Sequence, residues 1–329
     1  MTNTETTKTT FSGILRSINN WQSLGLLLVL VLFYVVLSFA SPIFFTLSNQ
    51  LAILQSAAFF GIVAFAMTLV IVSGEIDISV GSLAALSSSL LGVFVVNNGV
   101  PFPIAVVLVM LVAVAFGGIT GVLRAYFGVP TFISTLALYL ALRGLAQLLT
   151  NNFPLPIPNE EFFYWGSGKI FGIIPVAAIY FVIAAIAIGI LARKTVFGRS
   201  IYAVGGNAKA ATLSGIPVRR VKIMVMMISA LAASIAGLLQ SAQLSSGNST
   251  IAVGLEFDAI AASIIGGTIL SGGKGTILGT VIGVVFIAAL LNGMVLLGVN
   301  PYAQQVVRGA VVLVAVLVNV WRTRSAPIS

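Results

Sequence analysis

The chain has 329 residues, 59% of them hydrophobic and only 7% charged, with 16 Lys and Arg against 7 Asp and Glu and neither His nor Cys. A soluble domain devotes roughly a quarter of its residues to charge, so an ordinary water-soluble protein is excluded. The missing imidazole and thiol exclude histidine general bases, thiol nucleophiles, disulfides and the zinc, copper or iron–sulfur sites built on those ligands.

Residues 1–20 are polar and rich in Thr and Asn, with Lys8 and Arg16, and read as a cytoplasmic tail. The apolar run 21–40 is too long for a signal-peptide core, although Ser38-Phe39-Ala40 has the look of a cleavage site, and we read it as an uncleaved first span. About 20 apolar residues cross a bilayer as helix. Further segments of that kind fall near 51–72, 79–96, 102–123, 131–150, 171–191, 223–243, 253–271, 276–297 and 303–321. The pattern predicts an all-α polytopic membrane protein of about ten transmembrane helices, with a single membrane domain over 21–321 and a short cytoplasmic tail over 322–329. Broken or re-entrant helices are expected around residues 73–77 and in the Gly- and Ala-rich eighth segment. Most prolines fall in the connections, where a missing N–H costs little.

Basic connections stay on the cytoplasmic side. Residues 192–222 carry Arg193, Lys194, Arg199, Lys209, Arg219, Arg220 and Lys222 with no acid. Placing them inside with ten spans puts both termini, Arg124 and Lys274 inside as well. The longest outside connection, 151–170, carries Glu160 and Glu161 against Lys169, three prolines and the aromatic run 162–165. The same basic residues therefore orient the chain and do not mark a nucleic-acid surface.

An internal repeat is testable on acids and arginines. Glu75 and Asp77 follow the second span, and Glu256 and Asp258 open the eighth; Arg143 lies in the fifth span and Arg308 in the tenth. An offset of five spans relates these places, and an odd offset inverts one copy, as in many transporters. Charge within a membrane domain is expensive unless paired, capped or set in a water-filled path. Glu75, Asp77 and Ser79 read either as the anchored start of a broken helix or as solute contacts, and Arg143 and Arg308 either as partners of the four acids or as solute ligands. Gln55, Asn292, Gln304 and Gln305 either line a pathway or stitch helices by hydrogen bonds. Thr131, Phe132, Ser134, Thr135 and Tyr139 have the groups to meet an uncharged polar ligand and are equally ordinary packing material. Gly117 with Gly121, and Gly275 with Gly279 and Gly283, have the spacing of close helix contacts. The Gly-rich run 266–276 fails the phosphate-loop spacing because residue 268 is Thr and residue 275 is Gly. In the basic connection, a short Ala-rich helix is expected between the glycines at 205–206 and Pro217, exposed to a docking partner or serving as a plain connector.

Taken in order, Gly74-Glu75-Ile76-Asp77-Ile78-Ser79-Val80-Gly81-Ser82, Pro130-Thr131-Phe132-Ile133-Ser134-Thr135-Leu136 with Arg143-Gly144, Gly205-Gly206-Asn207 with Leu213-Ser214-Gly215-Ile216, and Phe257-Asp258-Ala259-Ile260-Ala261-Ala262 with Gly266-Gly267-Thr268 and Gly272-Gly273-Lys274-Gly275 resemble the permease subunit of bacterial ATP-binding-cassette sugar importers. The resemblance spans about residues 20–320. It implies a non-catalytic permease of the bacterial inner membrane that moves a ribose-like monosaccharide by alternating access. It also implies a second permease copy or a paralogue, a cytoplasmic ATP-binding-cassette ATPase that uses ATP and Mg while the permease itself binds no cofactor, and an extracytoplasmic solute-binding protein. On this chain it makes 205–217 the ATPase-coupling region, with Gly205, Gly206, Asn207, Lys209, Leu213, Ser214, Gly215 and Ile216 and the following Arg219 and Arg220. Segments 74–82 and 254–275 become parts of the translocation core. Two other readings fit the residues: a permease of the same build for another small solute, such as a nucleoside, a branched-chain amino acid or a sugar-derived signal, and an ion-coupled secondary transporter using the four acids.

Overall fold

The computed structural model describes residues 21–324, so the tail expected at 1–20 and residues 325–329 of the one expected at 322–329 lie outside the described residues, while residues 322–324 belong to the last helix. Thirteen helices and four two-residue strands follow one another. The long helices are α1 (Trp21–Ala40), α2 (Leu47–Val72), α3 (Val80–Gly92, extended by a π turn Val93–Asn97), α4 (Phe102–Phe127), α5 (Thr131–Thr150), α7 (Val176–Lys194), α10 (Val218–Leu244), α12 (Ile277–Leu296) and α13 (Pro301–Arg324). The short ones are α6 (Glu160–Ser167), α8 (Val196–Gly206), α9 (Ala208–Leu213) and α11 (Leu255–Ile265). Eight helices among the described residues are long and apolar enough to cross a membrane. The eighth expected span is where helix and expectation part: only Leu255–Ile265 is helical there, and the glycines at 266, 267, 272 and 273 carry the chain onward without a helix.

Local chemistry sets the boundaries. Thr46, Asn159, Thr195, Asn207 and Thr276 each accept a backbone N–H from the first turn they precede, the ordinary N-cap device. Gly128 closes α4 in the left-handed region at φ +70°, which costs a glycine nothing. Between α5 and α7, β1 (Leu155–Pro156) pairs antiparallel with β4 (Ser246–Gly247), which follows α10, while β2 (Lys169–Ile170) and β3 (Ile174–Pro175) form a small hairpin.

The core is built on α2 and α10. Every residue of α2 from Ala57 to Val72 is buried, and α10 lies against it. Lys222, near the start of α10, reaches Glu75 just beyond the end of α2, so the two run antiparallel. The remaining contacts come in pairs: α4 lies along α10 as α12 lies along α2, α3 packs on α10 and α5 as α11 packs on α2 and α13. Hydroxyl pairs repeat the relation. Ser88, ninth in α3, meets Ser241 of α10 at 2.5 Å, and Ser263, ninth in α11, accepts from Thr68 of α2 at 3.2 Å. Small residues permit these approaches. Gly117 and Gly121 lie directly on the α10 backbone at Met226 and Ile223, and Gly279 and Gly283 on α11 at Gly266 and Ala262, as their spacing predicts.

Candidate functional site

The connection 73–79 is extended and dips back into the helix bundle before α3 begins. Asp77 holds that start: its Oδ1 accepts from the Ser79 N–H at 2.9 Å and the Ser79 hydroxyl at 2.6 Å, and its Oδ2 accepts from the Ser229 hydroxyl at 2.7 Å. Ser229 is the twelfth residue of α10, roughly 16 Å along that helix at 1.5 Å per residue, so α3 starts well inside the bundle. Thr131 and Thr135, one turn apart on α5, complete the seat by accepting from the Ile76 and Ile78 N–H groups at 3.3 and 3.1 Å. Backbone donors that a helix would have used internally are thus met by side chains, as burial requires.

Glu75 sits at the same connection with its carboxylate buried. It accepts from Arg124 Nε at 2.7 Å, from Lys222 Nζ at 2.5 Å and from the Thr131 hydroxyl at 2.8 Å. Two cations and a hydroxyl on one buried carboxylate meet the cost of removing it from water. Neither Arg124 nor Lys222 stands out in the sequence as the partner, because both read as orientation charges.

A second charged group surrounds residues 249–258. Arg143 donates from Nη1 to the carbonyls of Ser249 at 3.0 Å and Ile251 at 2.7 Å, and Arg308 lies 3.4 Å from Asp258. Arg143 therefore holds the connection between α10 and α11, and Arg308 the first turn of α11 that follows it, instead of the two serving equivalent places in two repeats. The acids differ likewise: Glu75 and Asp77 precede α3, whereas Glu256 and Asp258 lie in the first turn of α11. Glu256 is fully buried, and neither of its carboxylate oxygens has a hydrogen-bond partner.

Four of the residues singled out from sequence lie apart from these groups. Gln55 donates to the Gly166 carbonyl at 2.9 Å and fastens α6 to α2. Asn292 and Asn49 exchange a reciprocal amide pair at 2.9 and 3.0 Å between α12 and α2. Phe132 is exposed on α5. Gln304 is spent on the Val299 carbonyl.

In the basic connection the short helix is present as α9, with Asn207 Oδ1 accepting from the Ala210 N–H at 2.9 Å. Lys209, Leu213, Ser214 and Gly215 are exposed, Leu213 to 83%, and Ile216 is half-buried against the core. Arg219 stacks over Tyr126 with its guanidinium 5.0 Å from the ring centroid, a cation–π contact, and Arg220 is exposed. Behind α9, Gly205 is pressed against the Val72 carbonyl so closely that no Cβ fits, and the same carbonyl accepts from the Gly273 N–H at 2.8 Å. Tyr202 donates to the Gly275 carbonyl at 3.0 Å, and burial pushes its phenol pKa up. The end of α8, which leads directly into the exposed α9, thus rests on the end of α2 and on the glycine hairpin after α11, one element from each half of the paired arrangement.

A helical bundle with paired halves, two interrupted helices and a basic connection bearing a short exposed helix is the build of a transport subunit. Residues 49–316 match the model of the family described as branched-chain amino acid transport system / permease component. The chain belongs to that permease family. It is 47% identical to the probable ABC transporter permease protein YphD of Escherichia coli K12 over 92% of this chain and 91% of the relative. It is 41% identical to the ribose import permease protein RbsC of Bacillus subtilis over 98% of each, and 35% identical to the L-arabinose ABC transporter permease protein AraH of Azospirillum brasilense over 92% and 89%. No solved structure matches it.

Proposed function

We propose that the protein is the membrane-spanning permease subunit of an ATP-driven importer of a monosaccharide, in the pentose or hexose range. The similarity to ribose and arabinose permeases over nearly the full length of each chain carries this reading. The chain itself breaks no bond. ATP and Mg belong to a cytoplasmic ATP-binding-cassette ATPase, and solute capture belongs to an extracytoplasmic binding protein.

Ten crossings fit the bundle when α1 and the interrupted segment from Leu255 to Gly273 are added to the eight long helices. That count places both termini, the 73–79 connection, α8, α9 and the glycine hairpin on the cytoplasmic side, and α6 outside. It also inverts the second half relative to the first. Residues 21–321 then form one permease domain, and a second copy or a paralogue completes the pathway.

The coupling region is α9 with its flanks, from Gly205 to Arg220. Its support is physical: α9 offers an exposed Leu213 and Lys209 to a partner, and the chain behind it rests on Val72 and Gly273. Movement of a docked ATPase is thereby delivered to both interrupted helices together. The translocation core is built from the 73–79 and 249–258 connections with Thr131, Thr135, Arg143 and Arg308, their polar groups holding backbone in place more than reaching for solute. Copurifying the extracytoplasmic binding protein and screening its ligands tests the substrate; a binding protein selective for branched-chain amino acids over every pentose and hexose would replace the sugar assignment.

A further inference from the structure

Helices α3 and α11 start close together inside the bundle. Gly81 and Glu256 are each the second residue of their helix, and they touch: a Cβ built on Gly81 would collide with Glu256 Oε2 and come within 2.7 Å of the Ala252 carbonyl. Equivalent positions of the paired halves therefore meet, which places this contact on the axis relating them. A glycine occupies one side because the carboxylate and the Ala252 backbone carbonyl together fill the space a side chain would need.

The two helix starts are not equally supplied. Helix α3 has Asp77, bonded to the Ser79 N–H and anchored to Ser229. Helix α11 begins after Gly254, at φ +81°, with no anchored carboxylate before it, and Asp258 of its first turn is drawn to Arg308; neither helix has a side-chain cap on its first-turn N–H groups. Each start carries the exposed N–H groups and the positive end of a helix dipole, equivalent to about half a charge. Two such ends brought together repel. Glu256 is the carboxylate between them, fully buried, with both oxygens unpaired. Arg143 is within electrostatic reach but spends its donors on the carbonyls of Ser249 and Ile251.

We infer that Glu256 is a positioning residue of transport, a single negative charge on the pseudo-symmetry axis that holds the starts of α3 and α11 together while leaving them unlocked by hydrogen bonds. A carboxylate that only stabilised the fold would be expected to carry hydrogen bonds, because an unpaired buried charge is costly. One held by the field of two helix ends exerts a pull without fixing a geometry, so the halves can shift against each other around it. This inference rests on the importer reading, since it assigns a role in alternating access.

The test uses the permease reconstituted with its ATPase and binding protein, with uptake of the binding protein's identified sugar and thermal melting of the purified permease as separate readouts. Wild-type ATP-dependent uptake establishes the importer reading independently of any variant. Glu256→Gln keeps the shape and removes the charge; it is expected to melt at or above the wild-type temperature while uptake falls at least tenfold. Uptake within twofold of wild type would overturn the inference, as would a melting temperature that falls in step with uptake. The second arm keeps the charge and shortens its stem: Glu256→Asp is expected to recover uptake at least fivefold over Glu256→Ala. Uptake by Glu256→Asp no better than by Glu256→Ala would overturn the inference, including the case in which Glu256→Gln fails to fold.

Discussion

At Glu75 one carboxylate gathers the ends of four elements: the connection after α2, the last turn of α4, the first residue of α5 and the first turns of α10. Glu75→Gln leaves Arg124 and Lys222 without their counter-charge. Breaking a buried pair from one side costs about 3–5 kcal/mol, and because the Arg124 side chain keeps 29% exposure the low end, about 3 kcal/mol, is expected as a lowered melting temperature in detergent. Lys222→Met should cost clearly less, since Arg124 and Thr131 remain on the carboxylate. The Asn49–Asn292 pair separates stitching from solute contact. Replacing Asn292 with Leu is expected to destabilise by about 1 kcal/mol, the scale of polar contacts between membrane helices, while the ratio of uptake rates between two sugars stays fixed; a changed ratio would put Asn292 in the pathway. The sequence made Glu75 and Asp77 conspicuous because charge is rare in apolar segments, but their partners were hidden. Ser229 is an unremarkable hydroxyl, and Arg124 and Lys222 look like any inside-loop cation until the fold brings them to 73–79.

Among the elements, α9 is the one whose outward face has the least to do with its own fold. Leu213 is 83% exposed at its end, and a docking partner that covers it would gain the burial of a leucine, up to about 2 kcal/mol. Leu213→Asp is therefore expected to weaken ATPase association by at least tenfold in a pull-down from detergent, with the permease melting temperature unchanged. Gly205→Val acts one step further in: it must displace the Val72 carbonyl, so association should persist while ATP-dependent uptake falls by an order of magnitude. The helix itself was legible from the Ala-rich stretch between glycines and Pro217, whereas the cap that Asn207 supplies was not singled out by it. The interruption after Ile265 was legible only as an excess of Gly and Ala. That the hairpin at 272–273 would rest on Val72 was beyond reach, because a contact between two backbones leaves no side-chain pattern to read. Likewise, the acid pairs suggested repeat-equivalent places, whereas the ninth-residue serines of α3 and α11, which carry no charge to attract notice, mark the relation more faithfully.

For the whole molecule, the absence of cysteine makes the orientation directly measurable. A single cysteine at Leu213 should react with a membrane-impermeant thiol reagent only when the cytoplasmic face is opened, and one at Phe171, 91% exposed between β2 and β3, should react from outside intact cells; the reverse pattern would invert the proposed topology. The eight long apolar helices and their order were legible because hydrophobic length is a strong signal, while the packing of those helices into paired halves around α2 and α10 depends on small residues whose partners sequence does not name. The central claim is that this permease moves solute only when a docked ATPase works on it. The most direct measurement is uptake of radiolabelled sugar into proteoliposomes holding the permease, its ATPase and its binding protein, with ATP enclosed on the ATPase side. Uptake that requires ATP, the ATPase and the binding protein together is the predicted result, and uptake by the permease alone, driven by a proton or sodium gradient without ATP, would contradict it.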